Sequence, residues 1–227
     1  MSHSFIKKFE ACLDADLRNQ FRELKTPFAI QEYLDGMPYI GEERDRSPLN
    51  VMLDQQCHCL DGGFFAALAL WRIGFKPLVI DLVPTLGMDD DHVLALYQVE
   101  RYWGAVAKSN YVNLGFREPI YKNLRELVMT YFEHFVSIHK EKTLRGYTRP
   151  LDASRYTHLL WAWDEAGANQ LYSKHFYGRK EISLIKRRMA KRLNPLADRA
   201  YAAETLHTNL NESFGNRDAH PASPKYN

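Results

Sequence analysis

The stretch that decides the fold runs from Gln55 to Gly74 and reads QQCHCLDGGFFAALALWRIG. It begins with polar residues and two thiols and continues with small and apolar residues on nearly every side of a helix. A helix that is apolar all round is a buried one. A cysteine in its first turn lies where unpaired N–H groups and the helix dipole favour an anion, and this makes a nucleophile. The stretch therefore predicts a buried helix with a reactive thiol at its start.

The composition limits the class of protein. With 227 residues, 45% of them hydrophobic, the chain suits one main domain with an appendage, or two small domains. Its net charge of +2 is too small to indicate electrostatic attraction to nucleic acid or to a membrane. We expect no signal peptide, because the first ten residues carry charges, and no membrane span, because no run approaches ~18 apolar residues. Only three cysteines suit a reducing compartment, so we expect a cytoplasmic protein.

Apolar spacing around the buried helix predicts helices before it and strands after it. The two-residue turn at Glu100 and Arg101 predicts that the strands on either side pair antiparallel. The first strand is a continuous β-branched run, which is typical of a strand buried on both faces. Helices are expected over 5–24 and 30–34, and strands over 77–83, 92–99 and 102–107.

The second half of the chain has a helical pattern that becomes less regular. Helical spacing returns over 117–139, where Asn123 and Glu126 fit a capping box. Residues 156–206 are also expected to be mostly helical. Their basic run over 179–192 falls on the solvated side of an amphipathic helix, so it does not indicate a nucleic-acid site.

Cys59 is the first candidate for catalysis. It directly precedes the small-residue helix, and Asp61 could cap the first turn of that helix. Cys57 has the same neighbourhood but lies further from the helix start. The alternative for Cys59 is a structural cysteine, which is the default near a buried helix.

His92 is the second candidate. It opens a strand directly after an acidic loop that ends in Asp91, at a rim where a cleft can form. A neutral imidazole there could take the thiol proton, whereas the alternative is a loop histidine capped by Asp91. A third residue should orient the imidazole by accepting its N–H. Asn110 is the available side-chain amide after the next strand, and Ser109 is a lesser option.

The order of these elements resembles the transglutaminase-like branch of the papain superfamily. Cys59 starts an Ala-rich helix that ends in Gly74, and a strand, an acidic loop, His92 on a strand and a strand bearing Trp103 follow. The resemblance covers residues 50–112. The interval from Cys59 to Gly74 is similar to the Cys-helix-Gly pattern of that family, and this interval selects Cys59 over Cys57.

The resemblance implies a fold and a domain organisation. The fold class is α+β, with a papain/transglutaminase-like core in which the cysteine-bearing helix packs on an antiparallel sheet. A mostly helical extension follows this core toward the C-terminus. We expect a transglutaminase-like catalytic domain over 1–145, the helical extension over 146–206 and, from composition, a disordered tail over 207–227.

Carried over by resemblance, Cys59 is the nucleophile and His92 the base. The aspartate of the family would fall near Ala107, where this sequence departs from the pattern, so Asn110 would complete a Cys-His-Asn set. Gln55 or Gln56 could donate to an oxyanion beside the backbone N–H of Cys59, and the alternative is that both are solvent-exposed glutamines. The implied site consists of Cys59, His92 and Asn110 for catalysis, with Gln55, Gln56 and Asp91 in support.

The implied function is thiol-dependent acyl transfer or hydrolysis on a peptide, protein or small amide substrate. We expect no cofactor, no metal, no nucleic acid and no membrane partner, and hydrolysis is favoured because nothing marks an amine or coenzyme A site. One alternative is a catalytically inactive binding or scaffold domain, since the aspartate is missing. A second is a metal-binding protein that uses the Cys57-His58-Cys59 cluster with the acidic loop, although zinc ligands are usually spaced C-x2-4-C.

Overall fold

A computed structural model describes residues 2–216, which form one seven-stranded sheet with helices on both faces. The mixture of helices with an antiparallel sheet is as predicted. The strands are β1 Leu78–Pro84, β2 His92–Val99, β3 Tyr102–Val106, β4 Arg117–Tyr121, β5 Leu144–Thr148, β6 Leu151–Asp152 and β7 Glu181–Ser183. Their order is β4-β3-β2-β1-β5-β7, β6 pairs with β1, and the pairings are antiparallel.

The predicted buried helix is present as α5, which spans Cys59–Arg72. All of its residues from Leu60 to Leu70 are buried. Two glycines set how closely it approaches the sheet. A Cβ atom on Gly63 would come within 2.5 Å of Val93 Cγ1 on β2, and one on Gly62 within 2.4 Å of Lys108 Cβ. The first turn of α5 is therefore held against the sheet at a distance that only glycine allows.

We expect Gly63→Ala to lower the free energy of unfolding by about 2 kcal/mol. The new methyl group meets the buried Val93 side chain, which overpacks the interface, although alanine favours the helix by about 1 kcal/mol. Urea unfolding measures the change. Gly36→Ala is the control, because its Cβ would lie 3.5 Å from the nearest atom, and this variant should change stability by less than about 0.5 kcal/mol. An unchanged midpoint in Gly63→Ala would contradict the close approach.

The sheet separates two apolar cores, because successive side chains of a strand face opposite sides. Val79 and Val93 face the core that contains α5, whereas Ile80 and Leu94 face a second core that contains Phe135. The first strand is thus buried on both faces, as its continuous apolar run predicts.

The four helices before α5 close the first core. The single helix predicted over 5–24 is wrong, because the chain breaks at Asp14 and starts a new helix there. The Asp14 carboxylate accepts a hydrogen bond from the Leu17 N–H at 2.8 Å, which is an N-cap. The helices are α1 Ser2–Ala11, α2 Ala15–Glu23, α3 Pro27–Asp35 and α4 Pro48–Asp54.

The helix predicted over 117–139 is also wrong at its start. Residues 117–121 form the edge strand β4, where Ile120 is exposed and Pro119 occupies a position suited to a sheet edge. Helix α6 spans only Leu124–Met129. One half of the capping box is confirmed, since the Asn123 side chain accepts from the Glu126 N–H at 2.9 Å. The Glu126 carboxylate accepts from the Lys122 N–H at 2.9 Å instead of from the N–H of Asn123.

The region over 146–206 is less helical than predicted. It adds β6 and β7 to the sheet, and the boundary expected between 145 and 146 falls inside β5. The amphipathic helix expected over 179–192 is wrong, because only a four-residue helix forms there. The remaining elements are the 3-10 helix Ala153–Leu159, α7 Glu165–Leu171, the π-helix Tyr172–Phe176, α8 Arg187–Ala190 and α9 Asp198–Glu204.

Part of the predicted tail is described by the structure. Residues 207–216 include the 3-10 helix Leu210–Glu212, and residues 217–227 lie outside the described part of the chain. Between residues 2 and 216, no helix combines the length and the apolar character needed to span a membrane.

Candidate active site

Cys59 is the first residue of α5, as its position before the small-residue helix predicts. Its side chain is half-buried, and Sγ donates to the backbone carbonyl of Asp91 at 3.7 Å. The thiol therefore lies where the helix start meets the loop before β2. The N–H groups in the first turn of a helix lack intrahelical partners and favour an anion beside them.

Cys57 lies two residues earlier in a different environment. It is fully buried, and burial raises the pKa of its thiol to about 12, although the nearby Lys108 charge opposes this. A thiol with that pKa stays protonated near neutral pH and is a poor nucleophile. The structure therefore places one cysteine of the pair at an accessible helix start and the other in the core.

His58 precedes α5 as its N-cap residue and is only 7% exposed. Its Nε2 lies 3.4 Å from Asp45 Oδ1 and 3.5 Å from Asp61 Oδ1. Burial alone would lower the pKa of this imidazole. The nearby side chains of Asp61, Asp45 and Cys59 outweigh burial and raise the His58 pKa well above its ordinary value.

Asp61 does not cap α5 as predicted, because its carboxylate points to the loop before α4. Its Oδ1 accepts from the Arg46 backbone N–H at 2.7 Å, and its Oδ2 lies 3.7 Å from the Arg46 guanidinium. Burial raises the pKa of Asp61 to about 6, while His58 and Arg46 oppose that rise. Asp61 is therefore mostly ionised at neutral pH and provides negative charge beneath the His58 ring.

His92 opens β2, as predicted, but its ring faces the second core. It shares the side of the sheet with its cross-strand partner Leu82 and with Leu94, and its ring centre lies 6.4 Å from that of Phe135. Its Nε2 lies 2.8 Å from the Leu114 carbonyl oxygen. Burial lowers the pKa of His92 to about 4, so the ring is neutral at pH 7.

Asn110 is held by the segment 207–216. Its Nδ2 donates to the Asn209 carbonyl at 2.8 Å, and its Oδ1 accepts from the Asn209 N–H at 3.0 Å. A further bond from Nδ2 reaches Ser213 Oγ at 3.3 Å. A small cavity lies between this segment and β2, and its lining includes His92, Asn110 and Phe214. The Asn110 amide is thus bound to the C-terminal segment. The group that contacts the His92 ring is the backbone carbonyl of Leu114.

The supporting residues of the predicted site have separate roles in the structure. Gln55 donates both to the Met52 carbonyl at 2.7 Å and to the Tyr33 hydroxyl at 3.0 Å, which uses its side-chain amide hydrogens. Gln56 is half-buried between α4 and α5. Asp91 contributes its backbone carbonyl to the Cys59 thiol.

The position of the family's aspartate is occupied by Ala107 and the buried Lys108. The Lys108 ammonium donates to the Leu34 carbonyl at 2.8 Å and to the Met37 carbonyl. It therefore anchors the end of β3 to the loop after α3 and provides no orienting group for an imidazole.

The metal alternative can be compared with the arrangement of potential ligands. Within residues 2–216, one set of three His, Cys, Asp or Glu side chains has its potential ligand atoms within 4.8 Å of one another. The set consists of Asp45, His58 and Asp61. Neither cysteine belongs to this set. The Arg46 guanidinium beside Asp61 already provides a fixed positive charge there, which opposes a bound cation.

Comparison with known proteins finds only distant structural similarity. No protein-family model matches the chain, and no curated protein matches it in sequence. A solved structure of LapG from Legionella pneumophila is 12% identical, with a TM-score of 0.42, over 72% of this chain and 94% of LapG. EGTA-treated LapG is 14% identical, with a TM-score of 0.37, over 50% of this chain and 72% of LapG. This likeness assigns no role to any residue of this chain.

Sequence reasoning missed the carboxylates around His58. The spacing of His58 and Asp61 was a usable signal, because residues three apart at a helix start can meet on one side. Asp45 gave no such signal, since it lies in the loop before α4 and approaches only through tertiary structure.

Proposed function

We propose that this chain is a papain-like, transglutaminase-like domain that carries out thiol-dependent acyl transfer or hydrolysis on an amide-type substrate, with Cys59 as the nucleophile. The observation that supports this most is the position of Cys59 at the first turn of α5, where its side chain is half-buried and lies against the Asp91 carbonyl. The N–H groups at a helix start stabilise a thiolate, which is the attacking species in covalent catalysis.

In this proposal the sulfur of Cys59 attacks the substrate carbonyl carbon and a tetrahedral oxyanion forms. The backbone N–H of Cys59 at the start of α5 can donate to that oxyanion. The carbon–nitrogen bond then breaks, the amine leaves with a proton from an imidazolium, and a thioester remains on Cys59. Water, or a second amine, attacks the thioester and returns the proton to the imidazole, which releases the acid or the new amide.

The acyl acceptor favoured here is water. We propose that the substrate is a peptide, a protein or a small amide. The proposal also includes a catalytic unit over 1–145 that is followed by an extension over 146–206. The set Cys59, His92 and Asn110 also stays a prediction, and it would require the His92 ring to turn from the second core toward the thiol.

A second candidate function is a catalytically inactive binding or scaffold domain. Two observations favour it: Ala107 and Lys108 stand where the resemblance places an aspartate, and Asn110 is bound to the C-terminal segment. In that case Cys59 would react no faster than an ordinary thiol.

The two functions differ in reaction with p-nitrophenyl acetate, an activated acetyl ester. An acyl-transfer enzyme should release p-nitrophenol in a burst and carry one acetyl group on Cys59 by intact-mass and peptide analysis, followed by turnover. Cys59→Ala should lose the burst and the adduct. Cys57→Ala is the matched control, because Cys57 is buried, and it should retain both.

Two results would overturn the proposed enzyme. One is release that is equal in the wild type and in Cys59→Ala, and the other is acetylation confined to the exposed Cys12. Adding 1,5-diaminopentane identifies the acceptor, because a transferase would form the acetylated amine whereas a hydrolase would form acetate.

A further inference from the structure

We propose that a second cavity, beside the edge strand β7, is a docking site for an extended acidic segment of another protein. The cavity is lined by residues of β5, of β7 and of the segment 187–195. Its volume of about 770 Å³ lies within the range of about 300–1,000 Å³ that is typical of ligand-binding pockets. Docking there requires neither Cys59 nor acyl-transfer chemistry, so it goes beyond the proposed function.

Positive charge predominates in the lining of this cavity, where four cationic side chains face two carboxylates. The cationic residues are Lys142, Arg145, Arg187 and Lys191, and the acidic residues are Glu141 and Glu181. Lys142 already pairs with Glu133 at 2.6 Å. Within residues 2–216, the other three cations form no salt bridge. These three cations are therefore available to the carboxylates of a ligand.

Arg145 is the extra residue of a β-bulge. Val83 of β1 pairs with Gly146 of β5, and the next residue, Pro84, pairs with Leu144. A bulge re-aims the side chain of its extra residue. The Arg145 side chain is half-buried, and its Nη1 donates to two backbone carbonyls at 2.9 Å. Within residues 2–216 its Nε and Nη2 have no hydrogen-bond partner, so they can hold a carboxylate in the two-pronged manner typical of arginine.

Strand β7 lies at one edge of the sheet and offers backbone groups to a partner. The Leu184 N–H donates to a carbonyl of β5 at 2.8 Å, and the Lys180 carbonyl accepts from the N–H that follows β5 at 3.1 Å. Because successive residues of an antiparallel strand alternate in direction, the backbone groups of Glu181 and Ser183 point away from β5. Both residues are exposed and line the cavity.

The open strand edge and the unpaired cations together fit an extended acidic peptide. Such a peptide adds a strand to a sheet edge through main-chain hydrogen bonds, and its alternate side chains supply specificity. Side chains two residues apart on a strand face the same side, so alternating acidic residues can reach the cations together. A small anion would use the cations alone, and an apolar strand would use the edge alone.

Fluorescence anisotropy tests the docking site with the full chain. The ligand is a fluorescein-labelled peptide in which glutamate and valine alternate, in salt of about 0.15 M. The same peptide with glutamine in place of glutamate should bind about tenfold more weakly, because it loses the charge and keeps the strand. The glutamate peptide methylated on every backbone amide should also bind about tenfold more weakly, because it cannot donate to the edge of β7.

Variants of the lining locate the binding. Arg187→Glu/Lys191→Glu should weaken binding of the glutamate peptide by about tenfold or more. Lys186→Glu/Arg188→Glu is the matched control, because it changes the net charge equally at exposed residues outside the lining. This control should weaken binding by less than about threefold, because salt screens its charges. Arg145→Gln should weaken binding by about tenfold. Circular dichroism shows which variants are folded.

The proposal is overturned if the glutamate peptide does not bind, or if the two double variants lose affinity equally, since binding would then follow overall charge. Equal binding of the glutamine peptide would also contradict it. Equal binding of the methylated peptide would indicate a site for anions without strand pairing. Cys59→Ala should bind the peptide as the wild type does, so failure of the acyl-transfer function leaves this test unaffected.

Discussion

Replacing Arg46 with methionine should lower the free energy of unfolding by about 3–5 kcal/mol. The Arg46 side chain is only 2% exposed, and its guanidinium bonds to Asp54 at 2.8 Å, contacts Glu42 and lies 3.7 Å from Asp61. Methionine fills similar space but removes the guanidinium from Glu42 and from the buried Asp61, whereas Asp54 keeps its bond to Arg44. Urea unfolding at pH 7 measures the loss, which is expected to be large because Asp61 cannot reach solvent.

Arg44→Met is the control for this prediction. Arg44 also bonds Asp54, at 2.9 Å, and Glu165, at 2.8 Å, but its side chain is 43% exposed. Solvent screening limits such pairs, so the variant should lose less than about 1 kcal/mol. The deficit of Arg46→Met should shrink from pH 7 to pH 5, because its unpaired carboxylates take up protons more readily in the folded state. Equal losses in the two variants would show that Arg46 has no special role.

Acid should destabilise the protein through His92 by about 3 kcal/mol between pH 6.5 and pH 4. Burial lowers the pKa of His92 to about 4, against an ordinary value of 6.5, and the residue is only 4% exposed. As the pH falls through 6.5, His92 becomes protonated in the unfolded chain but stays neutral in the folded protein. Stability contributed by the neutral ring is therefore complete above pH 6.5 and is lost toward pH 4.

His92→Gln isolates this effect, because glutamine does not titrate and can still donate to the Leu114 carbonyl. Urea midpoints of both proteins are compared at pH 7, 5.5 and 4.5. The variant should gain stability relative to the wild type as the pH falls, and His139→Gln, at an exposed position, should not. Parallel curves for all three proteins would mean that folding does not lower the pKa of His92.

Hydropathy and turn chemistry sufficed to predict the centre of the fold. The run after Gly74 and the turn at Glu100 and Arg101 specified strands and their antiparallel pairing, because these signals are local. Both turn residues have positive φ, 49° and 71°, as a tight hairpin requires. The helix that begins at Cys59 was equally predictable, since a helix that is apolar on all sides must be buried.

The elements that were mispredicted depend on tertiary contacts. Residues 117–121 have apolar spacing compatible with a helix, yet they complete the sheet as an edge strand beside β3. The short helix at Arg187–Ala190 follows a strand that pairs with β5, and this pairing ends the amphipathic pattern early. Periodicity alone cannot distinguish these outcomes when a segment is short.

The candidate site was predicted in part for the same reason. Cys59 carried a local signal in its helix start, whereas the face of the sheet to which His92 points depends on register. A shift of one residue along a strand exchanges its two faces, and no residue near position 92 indicates which face is which. The carboxylate of Asp45 reaches His58 from a loop 13 residues earlier, so no spacing rule connects them.

The two hydrogen bonds between Asn110 and Asn209 have a consequence for how the protein folds during synthesis. Its two partners are 99 residues apart, so ribosomal synthesis delivers β2 and β3 long before the segment that covers their end. During that interval the small cavity beside His92 lies open to solvent and to other chains. Closing so long a loop is slow relative to forming local hairpins. The region around Asn110 should therefore be among the last to acquire its native contacts.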